Sequence, residues 1–406
     1  MRWLLRVVAI ALAGALVGVV AALAVGEPAP APGPTPGPTP TATPTEQRLE
    51  PAPVRPPGPQ RQVLLVWTPR SLPPGLAQTV RNLPRVNTVT VVHAGRVDLL
   101  ESWDAAGTPV DRRRPGWAIP LDSFAVNPTT YARLLPASGS AAIRRLDRTS
   151  AVLGQTSARL RGLEPGDSVV VGPEERFTVS AVVDDTFVGG AELVISHHAA
   201  AAVGISTPRF MLVGYTGARG RMEQTIRRSA GPGFNARIRA PGETPYLRHG
   251  DAVLPQALIK ATFGEFAYRP PSPGPAFTQD PGWIARNLVT ERVPILGMVH
   301  CHRALIPALR GALGELRDEG LAHLVSPGDY AGCWNSRLVS QHGGVSRHAW
   351  GAAVDLNAGA NPTGTASSQD RRLVDAMEKW GFTWGGFWLV PDGMHFEYVG
   401  PPIARP

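Results

Sequence analysis

Between Glu27 and Arg61 the chain reads EPAPAPGPTPGPTPTATPTEQRLEPAPVRPPGPQR, with thirteen prolines in 35 residues. Proline fixes φ and has no amide hydrogen, so the tract joins neither helix nor sheet. It favours extended polyproline II, and at ~3.1 Å per residue it could reach ~100 Å. No Gly-X-Y period accompanies the prolines, which excludes collagen. The tract is a stalk, and it restricts folding to what lies before residue 27 and after residue 61.

Before the stalk, Arg2 and Arg6 precede an uncharged apolar run from Val7 to Gly26. Twenty residues of helix at ~1.5 Å rise span ~30 Å, the thickness of a bilayer's hydrocarbon core. That exceeds the ~7–15 apolar residues of a usual signal peptide. The basic flank stays in the cytoplasm, so residues 1–26 read as a membrane anchor with the bulk outside. Ala22-Leu23-Ala24 offers a small-x-small cleavage site, and the alternative is a secreted chain released after signal cleavage. Residues 27–61 are the linker.

Hydrophobic residues make up 43% of the chain and charged residues 18%, enough apolar surface to build folded domains after the stalk. The net charge of +8 is almost wholly arginine, since Lys260 and Lys379 are the only lysines. No basic run, zinc-finger spacing or RNA-binding aromatic motif occurs, which excludes nucleic acid as the partner and leaves an anionic cell envelope. Cys301 and Cys333 are the only cysteines. Outside the cytoplasm such a pair reads as a disulfide before a reactive thiol or a metal site.

Residues 62–250 read as a small α+β middle domain. Gln62–Trp67 is a buried strand, a short amphipathic helix follows around Leu76–Leu83, and Val86–Val92 and Val97–Leu100 are further strands. Asp167–Val171 and Arg176–Val183 form a hairpin around Gly172-Pro173-Glu174-Glu175. His197-His198 reads as a helix start without metal partners. No chemistry is legible in this region.

Residues 251–406 read as an α+β domain. Leu305–Asp318 has leucines at helical spacing and Gly320 as its stop, and Ser368–Trp380 ends at Gly381. Two short strands, Ala352–Asn357 and Met394–Val399, put Val354, Leu356 and Phe396 on one face and Asp355 and His395 on the other. His348 enters just before the first. Two neutral imidazoles and one carboxylate are a sufficient donor set for catalytic zinc and leave a coordination position open. Zinc in such a site polarises a carbonyl and lowers the pKa of water to about 7. Asp392, three residues before His395, is a candidate general base, and Arg337 a candidate contact to an oxyanion or to a substrate carboxylate.

Ser346-Arg-His348-Ala-Trp350-Gly-Ala-Ala-Val-Asp355 fits the pattern S-x-H-x-x-G-x-A-x-D, and Asp392-Gly-Met-His395 fits a closing carboxylate-x-x-H. With PILGMVHCH, GDYAGCWNSR, GFTWGG and DGMHFE, these segments resemble the M15 zinc peptidases. That family holds D-alanyl-D-alanine carboxypeptidases and dipeptidases and the related L-alanyl-D-glutamate endopeptidases. The resemblance implies a Hedgehog/DD-peptidase type of fold, with an antiparallel sheet carrying Zn2+ on His348, Asp355 and His395. It makes Asp392 the base, sets Arg337 in a looser correspondence, and gives peptidoglycan stem peptides as substrate. Asp392 stands where many carboxypeptidases of the family have Glu, and endopeptidase members use the shorter side chain. Val152–Asp185 (VLGQTSARLRGLEPGDSVVVGPEERFTVSAVVDD) resembles extracytoplasmic domains of FtsX/MacB-type permeases, which implies an envelope protein partner.

Ser346 and Trp350 are candidate substrate contacts, with loop support and core packing as their plainer roles. Trp384 and Trp388 are further candidates for a groove wall. Glu397 shares the face of His395, and His300, His302 and His342 read as surface groups. H-E-x-x-H, S-x-x-K and G-x-S-x-G are all absent, so other peptidase chemistries are poorly served. Against an enzyme stands a wall-tethered zinc-binding scaffold without turnover.

Overall fold

The computed structural model of the chain describes residues 62–271, 273–340 and 343–400. The N-terminal apolar segment, the stalk and His342 lie outside the described residues. Among the described residues, no helix is long and apolar enough to cross a membrane. The described chain is mixed α and β, and its largest feature is a ten-stranded sheet.

The sheet is built from β1 (Val63–Trp67), β2 (Val86–Trp103), β3 (Pro109–Arg112), β4 (Ile119–Val126), β5 (Ser150–Gly154), β6 (Ser168–Val171), β7 (Glu175–Val183), β8 (Leu193–Ser196), β9 (Pro208–Tyr215) and β10 (Arg237–Arg239). Strand order is β10-β1-β9-β2-β4-β8-β5-β7-β6, with β3 paired to β2 and β6 also paired to β2. That last pairing closes β2, β4, β8, β5, β7 and β6 into a ring. Val97, Leu99, Leu121, Leu153, Val169, Phe177 and Leu193 share one buried cluster there. The strands of this sheet all lie within residues 63–239.

Two local expectations fail. The two strands Val86–Val92 and Val97–Leu100 are one 18-residue strand, because His93-Ala94-Gly95-Arg96 keeps its ladder with Ala125 to Asp122 of β4. Cross-strand pairing overrides the poor strand propensity of Ala-Gly. His197 and His198 lie in a turn after β8 and start no helix.

Beyond the sheet, the helix Gln256–Phe263 is fixed to it by buried charges. Lys260 Nζ lies 2.7 Å from both Glu192 Oε1 and Pro120 O, and Gln256 Nε2 donates to Glu192 Oε2 at 2.7 Å. Arg161 also pairs with Glu192 at 3.0 Å, while Glu265 contacts both cations. Two carboxylates thus meet two cations in a dry setting, where each charge needs its partner.

The chain continues through β11 (Tyr268–Arg269), β12 (Thr278–Gln279), β13 (Leu288–Val293), β14 (Gly297–His302), β15 (Ala353–Asp355), β16 (Phe382–Trp384) and β17 (His395–Tyr398). β15 and β16 flank β17, both antiparallel to it. The helices Ile306–Asp318 and Arg371–Lys379 share a core with this small sheet through Leu309, Leu313, Leu316, Leu373, Met377, Val354 and Phe396. Pro307 in the first turn of the former and the Asp370 side chain accepting from Arg372 N–H in the latter set the two starts. The second helix begins three residues later than the sequence reading, at its Asp cap. A disulfide joins Cys301, on β14, to Cys333.

Candidate metal centre

Asp355 ends β15 and His395 begins β17, and the register sets them directly opposite each other. Alternation does the rest: Val354 and Phe396 are fully buried in the core, so their neighbours project to the other face. His348 arrives from the short 3-10 turn Arg347–Trp350, whose start is capped by Ser346 Oγ accepting the His348 N–H at 3.3 Å. Gly351 closes that turn at φ +61°, and a Cβ there would meet His302 N at 2.7 Å. Only glycine satisfies both conditions.

His395 Nδ1 lies 2.9 Å from Asp355 Oδ1, His348 Nε2 lies 3.2 Å from Asp355 Oδ2, and the two ring nitrogens are 3.2 Å apart. One ligand atom from each residue falls within 4.8 Å of the others. The outward nitrogens fix the ring orientations. His348 Nδ1 is 2.7 Å from the Cys333 carbonyl, which can only accept, so Nδ1 carries a proton and Nε2 is the nitrogen turned to the centre. His395 Nε2 lies 3.5 Å from Glu397 Oε1, so Nδ1 is the nitrogen turned to the centre. Two imidazole nitrogens and a carboxylate then converge on one point. Such a set suits a cation, and the outward hydrogen bonds are those that orient metal-binding histidines.

The electrostatics agree. Burial opposes charge on His395, but hydrogen bonds to Asp355 and Glu397 push its pKa up to about 10. Burial raises the Asp355 carboxyl, and the hydrogen bonds with His348 and His395 overcome that and hold it well below its usual range. Glu397 is also held low, against burial, by His395 and then Arg347, whose Nε is 3.6 Å away. The donor set therefore favours positive charge at its centre.

The cluster opens on a cavity of about 480 Å³ that Asp392, Arg337, Trp388 and Ser346 also line. Thr363 Oγ1 donates to Asp392 Oδ1 at 2.9 Å, leaving the second carboxylate oxygen without a side-chain partner among the described residues. The Arg337 side chain is half-buried and, among the described residues, has no acidic partner. Ser346 both lines the cavity and caps the His348 turn. Trp350 is a correction: it is fully buried, its Nε1 donates to Gly264 O, and it packs away from the cavity. Trp384 is likewise core, with Nε1 donating to Gly393 O, so Trp388 is the tryptophan of the three at the cavity.

His302 is a second correction. It is buried, with Nε2 donating to Phe263 O and Nδ1 accepting from Ala304 N–H, while His300 is exposed as expected. The sequence reading missed Arg347 as the partner of Glu397. It also missed the far wall of the cavity, where the sheet region supplies Trp67, Arg96, Arg209, Arg248 and Asp251. No local pattern announces residues that meet the cluster from so far along the chain.

A comparison with curated proteins gives no match. Among solved structures, the chain is similar to the periplasmic region of MacB from Actinobacillus actinomycetemcomitans, at 11% identity and a TM-score of 0.31, over 44% of this chain and 87% of that one. It is also similar to the extracellular domain of the noncanonic ABC-type transporter YknZ from Gram-positive bacteria, at 10% identity and a TM-score of 0.30, over 44% of this chain and 100% of that one. Residues 340–398, which carry all three donors and Asp392, match the model of an M15 peptidase family described as D-alanyl-D-alanine carboxypeptidase.

Proposed function

We propose that the chain is an extracytoplasmic zinc peptidase that hydrolyses a peptide bond in peptidoglycan stem peptides, with D-alanyl-D-alanine carboxypeptidase as the leading activity. The observation that carries this reading is the convergence of His348 Nε2, His395 Nδ1 and the Asp355 carboxylate beside Asp392, inside a segment that matches that family. In this reading residues 251–406 are the peptidase domain with the Hedgehog/DD-peptidase type of fold, residues 62–250 an envelope-facing domain, and residues 1–61 anchor and stalk. The Cys301–Cys333 disulfide supports an oxidising location.

His348, Asp355 and His395 would hold zinc, which when bound would supply Lewis acidity toward a carbonyl and toward water. Asp392 takes the proton of the attacking water on the oxygen that Thr363 leaves free and returns it to the departing amine nitrogen. Arg337, a cation at the cavity without an acid of its own, binds the free carboxylate at the end of the peptide. Ser346 holds the His348 turn.

The test is incubation of the full chain, loaded with zinc, with purified muropeptides, followed by mass analysis. Release of D-alanine supports the carboxypeptidase reading. Cleavage between L-alanine and D-glutamate instead supports an endopeptidase, the alternative that the short side chain of Asp392 favours. Stoichiometric zinc without turnover on any muropeptide overturns both and favours a binding scaffold.

A further inference from the structure

The strand β10 is an edge of the large sheet and is distant in sequence from Asp392, yet the two are connected through one carboxylate. Asp251 has a side chain only 6% exposed, held between two arginines of β10. Arg239 Nη2 contacts its Oδ1, and Arg237 Nε lies 3.3 Å from the same oxygen. The other oxygen, Oδ2, accepts the Leu389 N–H at 2.6 Å. Arg237 reaches the same loop a second time, its Nη2 donating to Phe387 O at 2.9 Å. Residues 385–392 thus offer a backbone donor, Leu389 N–H, to the Asp251 side chain and a backbone acceptor, Phe387 O, to the Arg237 side chain. This loop contributes Trp388, Val390 and Asp392 to the cavity, and Asp251 lines it too.

The loop has further contacts of its own: Trp388 N–H donates to Gly385 O at 3.1 Å, the Phe387 ring lies edge-on to Trp384, and the Trp388 ring packs on His395. Its far end is fixed by Asp392 N–H donating to Gly385 O and by Gly364 N–H donating to Pro391 O. In its middle Leu389 packs against the core of the large sheet, while Phe387 is 68% and Val390 41% exposed. A loop whose apolar side chains stand partly exposed depends for its position on the bonds made to its backbone from outside it.

We propose that Asp251, clamped by Arg237 and Arg239, is a positioning residue that holds the 385–392 loop, and through it Asp392, over the metal centre. The catalytic part rests on the proposed peptidase reading; the loop-holding part does not. The sheet region then completes the peptidase site and is more than a spacer beside it. A base displaced by about 1 Å loses about 10-fold to 100-fold in rate.

The test uses full-chain Asp251→Ala and Asp251→Asn, with two readouts. Amide hydrogen exchange should accelerate across 386–392 in the Ala variant and stay unchanged in β15 and β17, with zinc stoichiometry intact. The Asn variant keeps an oxygen to accept the Leu389 N–H and should fall between Ala and wild type. On a muropeptide, kcat should drop about 10-fold to 100-fold in the Ala variant with KM unchanged, and Asn should restore part of it. Unchanged exchange in the loop overturns the proposal, as does a mobile loop with wild-type kcat. Should Asp251→Ala fail to fold, Asp251→Asn decides alone: loop exchange and kcat equal to wild type overturn the proposal, and a faster loop with reduced kcat supports it. If wild type turns over no muropeptide, the peptidase reading fails separately, and the exchange readout still decides whether Asp251 holds the loop.

Discussion

Asp355 and His395 are cross-strand partners in the β15–β17 ladder, and their side chains meet at 2.9 Å on the face turned away from the core. Backbone pairing fixes their separation before any metal arrives. A donor pair held by a ladder needs little reorganisation to bind, so most of the affinity should be set by the fold and by the groups behind the ligands.

Glu397 is the first of those groups. It is buried and takes the outward nitrogen of His395, with Arg347 on its other side. Glu397→Gln should weaken zinc binding by about 10-fold to 100-fold while the chain stays folded. Chelator competition monitored by zinc release measures this, and wild-type affinity in the variant would assign Glu397 a purely structural role.

The disulfide should stabilise the fold and the site together. Cys301 and Cys333 are 32 residues apart, and closing a loop of that length restricts the unfolded chain by about 3–4 kcal/mol. Cys333 also supplies the carbonyl that fixes His348 Nδ1. Reduction should therefore lower the melting temperature and weaken zinc binding in the same titration. A melting temperature insensitive to reductant would contradict this.

The buried cluster around Glu192 predicts an asymmetry. Lys260→Met removes one cation and leaves Glu192 paired with Arg161. Glu192→Gln strips a carboxylate from two buried cations and should destabilise more, by about 3–5 kcal/mol. Urea unfolding of the two variants measures the difference, and equal midpoints would count against the pairing described.

His302 predicts an acid limb. Burial, partly offset by the bond to Phe263, pulls its pKa down to about 4 from 6.5, so the folded chain keeps the ring neutral where the unfolded chain protonates it. Stability from this group is complete above the unfolded value near 6.5 and falls as pH drops toward 4, by about 3 kcal/mol in all. Melting temperatures between pH 7 and pH 4 should decline less steeply in His302→Gln than in wild type. Parallel declines would remove His302 as a cause.

Much of the donor set was legible because its signal is local. The spacing of His348 to Asp355 and the strand alternation around Asp355 and His395 are short-range properties, and the structure brings these side chains together as the alternation expects. The two helices that cover the small sheet carry strong apolar periodicity and were legible for the same reason. Trp350 and His302 misled because burial is decided by tertiary packing against Phe263, Gly264 and Phe266, which no spacing reveals. The continuous β2 was missed because its partner β4, and not its own propensity, holds His93 to Arg96 extended. Asp251 and Arg237 were invisible as neighbours of the site, since their contact with 387–389 is made across more than a hundred residues of chain.

Anomalous diffraction at the zinc edge, on crystals of the zinc-loaded full chain, tests the central claim most directly. One peak is expected about 2.0–2.2 Å from His348 Nε2, His395 Nδ1 and an Asp355 carboxylate oxygen, and none in His348→Ala. A peak at other residues, or a zinc-saturated chain in which these three donors hold no metal, would contradict the account.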